Sequence, residues 1–492
     1  MKEYYCLVNS NLRRTLLLLF LVCSLSAFGQ QEKKPNIIFF LVDDLRYDFL
    51  SYLNHPWMKT PNIDALAKQS VFFENAFVTT SLCSPSRASI ITGQYAHSHK
   101  VMDNASEIDH SQPTFPKELR KQGYHTAYMG KWHMGGTNSE PRPGFDHWLS
   151  FKGQGEYYDP SLNINGDIVD EKGYLTDIIT NNAVNYIKER SKKEQPYFLY
   201  VSHKAVHEPF YPAKRHEGFY KKTTVALPET FADTEENYKG KPHWLRRQRK
   251  SWHGVDRDYS FGDYGDLDSF IKRYSESMLA IDESVGAIMK TLKEVGQLEE
   301  TVFIFYSDNG YMLGEHGLID KRAMYEESMR VPCFVYWPAK IKEPVRRKEL
   351  VLNVDIGPTI LELAGTNAPS TMHGMSFASM LQGATPIWRK DFLYEYYVDP
   401  MSVQTPTIIG LRNEKYSYIT YEGIWDVNEL YDLEKDPDQK NNLIGHVEIG
   451  GIFGTFLQRL KIEDPKMYEV VKPLDDRLSE LMIEKGGFRS KR

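Results

Sequence analysis

The chain has 492 residues, of which 41% are hydrophobic and 26% are charged, a composition typical of globular proteins. It excludes a disordered chain, a collagen and a membrane channel. The 60 Lys and Arg residues against 66 Asp and Glu residues give a net charge of −6, so bulk charge gives no reason to expect binding to nucleic acid. The length predicts either several domains or one large α/β domain with an appendage.

Residues 1–29 have the pattern of a cleaved export signal. Two arginines precede the short apolar run 16–22, and Ala27 and Gly29 provide small residues at the two cleavage positions. The run is too short for a permanent membrane helix, and we expect no transmembrane segment in the mature chain. The protein is therefore predicted to be exported: periplasmic in a double-membrane bacterium, and otherwise secreted or lysosomal. Lipid attachment at Cys23 is the alternative, which the bulky valine before it disfavours.

Removal of the signal would leave two cysteines, Cys83 and Cys333. Cys333 lies in the apolar run 331–335, which predicts a buried strand and a packed core thiol. Cys83 lies in a Ser/Pro-rich turn before a predicted helix and needs a different explanation. A disulfide between the two cysteines is the alternative for an exported protein.

Strands and helices alternate along the chain, which predicts a largely parallel sheet with helices on its faces. Buried strands are expected at 36–42, 124–129, 197–202 and 301–306, and helices at 113–122 and 269–295. Polar residues follow each of the four strands directly. Because the carboxyl ends of parallel strands meet at the edge where α/β proteins bind ligands, we expect these polar residues to form one site.

Two other regions stand apart from this alternation. Residues 203–268 are too long for an ordinary connection, which is typical of a functional or disordered loop. Their basic stretch 243–250 fits either a solvated charged face or a rim that contacts an anionic substrate. Short aromatic strands between 391 and 433 predict a smaller antiparallel subdomain. The predicted division is a large domain at 35–385 and a C-terminal subdomain at 386–492.

The ends of the first and fourth strands carry Asp43-Asp44 and Asp308-Asn309. These pairs supply only oxygen ligands, and no histidine is adjacent to either pair. Such a donor set suits Ca²⁺ or Mg²⁺ better than zinc. Buried carboxylates must be paired or metal-bound, so the two pairs together predict a hard-cation site.

The run from Cys83 to Gly93 reads C-S-P-S-R-A-S-I-I-T-G. It resembles the type I sulfatase family, in which a separate maturation enzyme converts the cysteine of a C-x-P-x-R motif to formylglycine. Cys83, Pro85 and Arg87 occupy the three defining positions. The resemblance implies that Cys83 is the modified residue, and that a formylglycine-generating enzyme is a partner.

The resemblance continues over nearly the whole chain after the signal. Further matches are Lys131 and His133 in G-K-W-H, His207 in H-x-P, Asp308-Asn309-Gly310 as D-N-G, Lys321 at the position of a sulfate-contacting lysine, and 429–437 as E-L-Y-D-L-x-x-D-P. The family implies an alkaline-phosphatase-like α/β sandwich, with a large, mostly parallel mixed sheet flanked by helices. It also implies a small C-terminal α+β subdomain with a four-stranded antiparallel sheet.

The family further implies a role for each matched residue in hydrolysis of a sulfate ester. One Ca²⁺ per chain would be held by Asp43, Asp44, residue 83, Asp308 and Asn309. Hydrated formylglycine at position 83 would attack sulfur, steadied by Arg87, while Lys131 and Lys321 face the sulfate. His207 would be the general acid for the leaving oxygen, and His133 would take the proton of the remaining hydroxyl. Substrate contacts are expected from Lys131, His203, His207 and Lys321.

Several stretches resemble the N-acetylglucosamine-6-sulfatase branch of the family: 157–158, 162–166, 174–177, 243–248, 308–311, 320–322 and 355–362. One departure is His373, where relatives commonly have Asp. The expected substrate is a sulfated saccharide, with the 6-O-sulfate removed from a terminal N-acetylglucosamine of glycosaminoglycans or mucin-type glycans. A 2-O-sulfated uronate, N-acetylgalactosamine-6-sulfate or N-sulfoglucosamine is the alternative.

Three other classes of protein fit the sequence less well. A phosphatase or phosphodiesterase of the same superfamily would use Ser or Thr and two zinc ions, with several histidines near Asp308, and Asn309 argues against it. A glycan-binding protein would not need Cys83, Lys131, His133 and His207 together. A structural exported protein would explain none of the clusters.

Overall fold

A ten-stranded mixed sheet forms the centre of the structure, a computed structural model that describes residues 33–256, 264–424, 426–445 and 465–489. The predicted export signal at 1–29 lies outside the described residues. The strands are β1 Asn36–Val42, β2 Val71–Phe73, β3 Ala76–Phe77, β4 His125–Gly130, β5 His147–Ser150, β6 Ser161–Ile164, β7 Asp167–Asp170, β8 Tyr197–Ser202, β9 Thr301–Ser307, β10 Met312–Leu313, β11 Ile319–Asp320, β12 Cys333–Tyr336, β13 Val345–Arg347, β14 Val351–Leu352, β15 Asp391–Tyr396, β16 Thr407–Asn413, β17 Tyr416–Glu422 and β18 Glu429–Asp432.

Helices cover both faces of this sheet. They are α1 Pro61–Ala67, α2 Cys83–Thr92, α3 Ala96–His99, α4 Phe115–Lys121, α5 Leu175–Arg190, α6 Glu235–Tyr238, α7 His243–Gln248, α8 Leu267–Glu294, α9 Glu326–Met329, α10 Ile356–Leu363 and α11 Pro465–Glu484. Side chains of β1 alternate between the two faces. Ile37, Phe39 and Leu41 join one hydrophobic core, with α2, α4 and α10. Ile38 and Phe40 join the other, with α5 and α8.

The four predicted strands are neighbours at the centre of the sheet. The strand order is β13-β2-β12-β9-β1-β8-β4-β5-β6-β7, and β9, β1, β8 and β4 run parallel. Val42 pairs with Ser307, and Gly130 pairs with Ser202, so the strands end in register. This arrangement confirms the prediction that their carboxyl ends share one edge.

The observed boundaries lie close to the predicted ones. Strands β1 and β8 begin and end at the predicted residues, and β4 is shifted by one residue. Helix α8 begins at Leu267, two residues before the predicted start, because the Asp266 carboxylate accepts a 2.8 Å hydrogen bond from Ser269 N. An N-cap of this kind satisfies a backbone donor at the first turn.

The C-terminal region forms the predicted four-stranded antiparallel sheet, in the order β15-β16-β17-β18. Its apolar side chains join the same core as α2, and the Phe392 ring lies 5.2 Å from that of Phe77. The described residues from Pro35 onward form one compact unit. The division at residue 385 stays a prediction.

The described part of the long connection 203–268 contacts this C-terminal sheet. Trp244 is buried, with its ring 5.7 Å from that of Tyr421. In the basic stretch, Arg246 pairs with Asp233 and Glu235 from the same connection. These pairs favour a packed, charge-balanced face over a rim for anionic substrates.

Both cysteines of the predicted mature chain are buried free thiols, so they form no disulfide. Cys333 lies in β12 within the core, as predicted. Within the described part of the chain, every helix is too short or too polar to cross a membrane.

Candidate functional site

Polar side chains from the four strand ends meet at one edge of the sheet. With residues that α2 and the segment after β11 contribute, they form a strand-end cluster of Asp43, Asp44, Cys83, Arg87, Lys131, His133, His207, Asp308, Asn309 and Lys321. The structure therefore brings together every sequence-predicted site residue except His203. The cluster is almost fully buried, with only His207 appreciably exposed, at 13% of its side chain.

Gly130 ends β4 where the backbone approaches its neighbour closely. Its φ is +124°, and a Cβ atom there would lie 1.8 Å from the carbonyl oxygen of Ser202. Only glycine fits such a position. Because the strands come this close, Lys131 N donates a 2.8 Å hydrogen bond to Ser202 O, which fixes the start of the segment that carries Lys131.

Arg87 ties α2 to three strand ends. Its Nε donates to Asp308 Oδ2 at 2.8 Å, and its Nη1 donates to Ser202 Oγ at 2.7 Å. Its Nη2 lies 3.4 Å from Asp43 Oδ2. The planar guanidinium can bind several acceptors at once, so Arg87 holds the helix that begins at Cys83 against the sheet.

The two lysines pair with the two aspartates after β1. Lys131 Nζ contacts Asp43 Oδ2. Lys321 Nζ donates to both carboxylate oxygens of Asp44, at 2.8 and 2.7 Å. With Arg87, three buried cations thus face three buried carboxylates, as low-dielectric surroundings require.

Burial and charge act differently on the carboxylates. Burial opposes ionisation of Asp43, yet Lys131 and Arg87 outweigh it and lower the pKa of Asp43 well below its usual value. Burial and the charge of Asp43 raise the pKa of Asp308 to about 7. A further positive charge near Asp308 would favour its ionised form.

The cluster fits a hard cation. Carboxylate oxygens of Asp43, Asp44 and Asp308 all lie within 4.8 Å of one another. Asn309 Nδ2 donates to Asp44 Oδ1 at 2.6 Å. Its Oδ1 is buried, and no described residue donates a hydrogen bond to it. An orphaned amide oxygen beside three carboxylates is the donor set that Ca²⁺ or Mg²⁺ prefers.

Cys83 begins α2 and faces these carboxylates. Its Sγ lies 3.6 Å from Asp43 Oδ1 and 3.9 Å from Asp44 Oδ1. Burial raises the pKa of the Cys83 thiol well above its usual value. Since the thiolate is the reactive form of cysteine, the unmodified side chain is poorly suited to act as a nucleophile here.

Two histidines flank the cluster. His133 Nδ1 lies 3.3 Å from Ser84 Oγ, and His207 Nε2 lies 3.8 Å from Asp44 Oδ2. Burial, and then the charge of Lys131, lower the pKa of both histidines well below the usual value. An anionic ligand that offsets the nearby cations would favour their protonated forms.

His203 lies in the core beneath the cluster. Its ring is fully buried 4.9 Å from that of Phe40, and its Nε2 lies 3.2 Å from Ser284 Oγ. Ser202 faces Arg87, and side-chain directions alternate along extended chain, so the next residue points to the other face. This placement does not support the predicted substrate contact of His203.

Lys204, the neighbour of His203, lies near the cluster but is not among the predicted site residues. Lys204 is 3% exposed, and its Nζ lies 4.8 Å from the centre of the Tyr157 ring. A lysine between two strand-end histidines was a usable signal. A single lysine in a loop is usually solvated, however, so the signal carried little weight without the structure.

Comparison with known proteins agrees with this geometry. Residues 35–366 match the family model described as Sulfatase. The chain belongs to the sulfatase family. Residues 314–481 of this sulfatase also match a model described as N-sulphoglucosamine sulphohydrolase, C-terminal. The protein is therefore a sulfuric ester hydrolase, as its motifs predicted.

Similar proteins align over most of the sulfatase. It is 33% identical to an N-acetylglucosamine-6-O-sulfatase of Bacteroides thetaiotaomicron, with 94% of this chain and 91% of that one covered. It is 32% identical to the N-acetylglucosamine-6-sulfatase of Homo sapiens, with 87% and 84% covered. A solved structure of a protein in complex with its substrate D-glucosamine-2-N,6-O-disulfate matches with a TM-score of 0.81 and 31% identity, covering 92% and 98% of the two chains. These matches confirm the alkaline-phosphatase-like fold.

The cluster makes Arg87 a strong determinant of stability. We expect Arg87→Met to lower the free energy of unfolding by about 3–5 kcal/mol, because it leaves buried carboxylates without their partner. Arg120→Met is the control, since Arg120 forms an exposed pair with Asp146 at 2.6 Å. It should cost under about 1 kcal/mol. Urea denaturation measures both, and equal losses would contradict the role given to Arg87.

Proposed function

We propose that this sulfatase is exported, and that it uses formylglycine at position 83 and one Ca²⁺ to remove the 6-O-sulfate of terminal N-acetylglucosamine. The observation that carries the proposal is the strand-end cluster around Cys83, in a chain similar over most of its length to N-acetylglucosamine-6-sulfatases. The maturation partner would be a formylglycine-generating enzyme. The catalytic domain would be 35–385, with 386–492 as the C-terminal subdomain.

The calcium ligands would be Asp43, Asp44, Asp308, Asn309 and residue 83. When bound, Ca²⁺ would draw negative charge from the sulfate oxygens. The chain itself orders these ligands: Arg87 fixes Asp308 by the 2.8 Å bond, and Asp44 N donates to Asp308 Oδ1 at 3.0 Å. The two aspartates are thus oriented by the fold as well as by the cation.

Residue 83 would supply the attacking hydroxyl once its side chain is converted to the hydrated aldehyde. Lys131 and Lys321 would bind the sulfate oxygens. Lys131 contacts Asp43 and Lys321 contacts Asp44, and Cys83 lies close to both aspartates. Fixed positive charges of this kind stabilise charge that develops in the transition state. Arg87 holds the helix that carries residue 83.

Proton transfers would fall to the histidines. His207 is the partly exposed member of the cluster and lies on the side from which substrate can enter. Once an anion offsets Lys131 and Lys321, His207 can be protonated and donate to the leaving sugar oxygen. His133, on the other side of Cys83 beside Ser84, would accept the proton of the hydroxyl that remains at residue 83.

The substrate class follows from the relatives. Two similar proteins are named for 6-sulfated N-acetylglucosamine, and a similar solved structure holds a 6-O-sulfated glucosamine. The 2-O-sulfated uronate, N-acetylgalactosamine-6-sulfate and N-sulfoglucosamine are less favoured alternatives, followed by a phosphate ester.

Conversion of Cys83 is open to a direct test. We expect Cys83→Ser, made in a host that matures only cysteine, to fold normally and to lose turnover, because serine cannot become an aldehyde there. Mass spectrometry of the wild-type peptide that carries residue 83 should show the aldehyde. The matched control is Cys333→Ser, a second buried thiol, which should keep residue 83 matured and sulfate release intact in the folded fraction. Wild-type turnover by Cys83→Ser would contradict the assignment.

Metal binding gives a second prediction. Asp308→Asn should lose stoichiometric calcium and sulfate release together, because it removes a carboxylate from an all-oxygen site. Added calcium should raise the melting temperature of the wild type, by mass action on the folded state, and leave that of Asp308→Asn unchanged. Stoichiometric zinc in the native protein by elemental analysis would overturn the calcium proposal.

Selectivity among sugars gives a third prediction. Sulfate release from N-acetylgalactosamine-6-sulfate should be at least about tenfold slower than from N-acetylglucosamine-6-sulfate, equivalent to roughly 1.4 kcal/mol of transition-state binding. A site that hydrogen-bonds sugar hydroxyls rejects an epimer because its polar groups are left unpaired. A panel of 2-, 3- and 6-sulfated monosaccharides tests this. Preference for a 2-O-sulfated uronate would remove the proposed substrate and keep the sulfatase chemistry.

A further inference from the structure

Lys204 is a buried cation that forms no salt bridge with an acidic side chain of the described residues. The residue is only 3% exposed. Its ammonium packs over the Tyr157 ring at 4.8 Å, and no described residue accepts a hydrogen bond from it or pairs with it. Burial, and then repulsion from Lys131, lower the pKa of Lys204 to about 8. Such a position is unfavourable for a charge unless an anion reaches it.

The position of Lys204 relative to the strand-end cluster is fixed by one turn. His207 N donates to Lys204 O at 2.9 Å, and the Tyr157 hydroxyl donates to His207 O at 2.7 Å. Tyr157 therefore supports both the ammonium of Lys204 and the backbone of His207. The charge of Lys204 also acts on His207, after the larger effects of Lys131 and Lys321. The shared contact with Tyr157 therefore places Lys204 near His207, the proposed general acid for the leaving group.

Charges of both the cluster and the surface act on Lys204. Its charge interacts with the buried Asp43 and with the exposed Glu156. Asp43 is already paired with Lys131 and Arg87. Asp44 pairs with Lys321 in the same way. An anionic ligand could therefore pair with Lys204.

We propose that Lys204 binds a second anionic group of the substrate, a sulfate or carboxylate carried by the sugar in addition to the 6-O-sulfate. The inference rests on the proposed function and makes its substrate class narrower: a doubly anionic glucosamine is bound better than a singly sulfated one. A neutral N-acetyl group gains nothing from an ammonium, whereas an N-sulfate or a second O-sulfate forms a charge-assisted hydrogen bond with it.

The test compares two sugars on four proteins. The sugars are N-acetylglucosamine-6-sulfate and glucosamine-2-N,6-O-disulfate, and the proteins are the wild type, Lys204→Met, Lys204→Gln and the control Lys214→Met. Lys214 is an exposed lysine whose Nζ lies 6.0 Å from the Tyr158 ring, so it matches Lys204 in its aromatic contact but not in burial. Release of the 6-O-sulfate is followed by chromatography of the desulfated sugar, and folding is checked by thermal melting.

The wild type and Lys214→Met should favour the disulfated sugar by about tenfold in kcat/KM, the effect of one charge-assisted hydrogen bond. Lys204→Met and Lys204→Gln should lose this preference and keep most of their activity on the singly sulfated sugar. An unchanged preference, no preference in the wild type, or an equal loss on both sugars would overturn the proposal. If Lys204→Met does not fold, the more polar Lys204→Gln decides.

Binding to Cys83→Ser separates this inference from the proposed function. Calorimetry should show that Cys83→Ser binds the disulfated sugar about tenfold more tightly than the singly sulfated one. Cys83→Ser/Lys204→Gln should bind the two sugars equally. If the wild type releases sulfate from neither sugar, the proposed function fails, and calorimetry still decides the role of Lys204. If sulfate is released but the preference does not depend on Lys204, the inference alone fails.

Discussion

The pairing of three buried carboxylates with three buried cations is the constraint on which the rest of the site depends. Asp43, Asp44 and Asp308 lie without solvent at the ends of β1 and β9, where isolated charges would be prohibitively unfavourable. Arg87 and two lysines balance them, and each cation comes from a different part of the chain. The cluster therefore forms only when α2, β4 and the segment after β11 are all in place. Assembly of the cluster therefore depends on the tertiary fold.

This constraint explains why the strands must end in register. Gly130 lets β4 approach β8 closely, which fixes the backbone at Lys131. Ser202 at the end of β8 accepts a hydrogen bond from Arg87. A bulkier residue at 130 would push apart the two strand ends that carry Lys131 and His207. The same compactness would strengthen the proposed catalysis, since fixed charges act more strongly where water is excluded.

Much of the fold and of the cluster followed from the sequence, because both depend on local signals. Continuous apolar runs predict buried parallel strands, and polar residues directly after them must lie at one sheet edge. Directions of individual side chains could not be obtained in this way. His203 and Lys204 are adjacent in sequence, yet one turns into the core towards Ser284 and the other lies over Tyr157 at the site. Pairing with Tyr157, 47 positions earlier in the sequence, is a tertiary contact that no local pattern encodes.

The central claim is that the strand-end cluster hydrolyses sulfate esters by means of residue 83 and a hard cation. The most direct measurement compares the release of sulfate and of phosphate from aryl esters of the same phenol by the calcium-loaded, matured protein. One cation and a cysteine-derived nucleophile predict that sulfate release is faster, and that it follows the fraction of protein that carries the aldehyde. Faster phosphate release, or sulfate release that is independent of this fraction, would contradict the account.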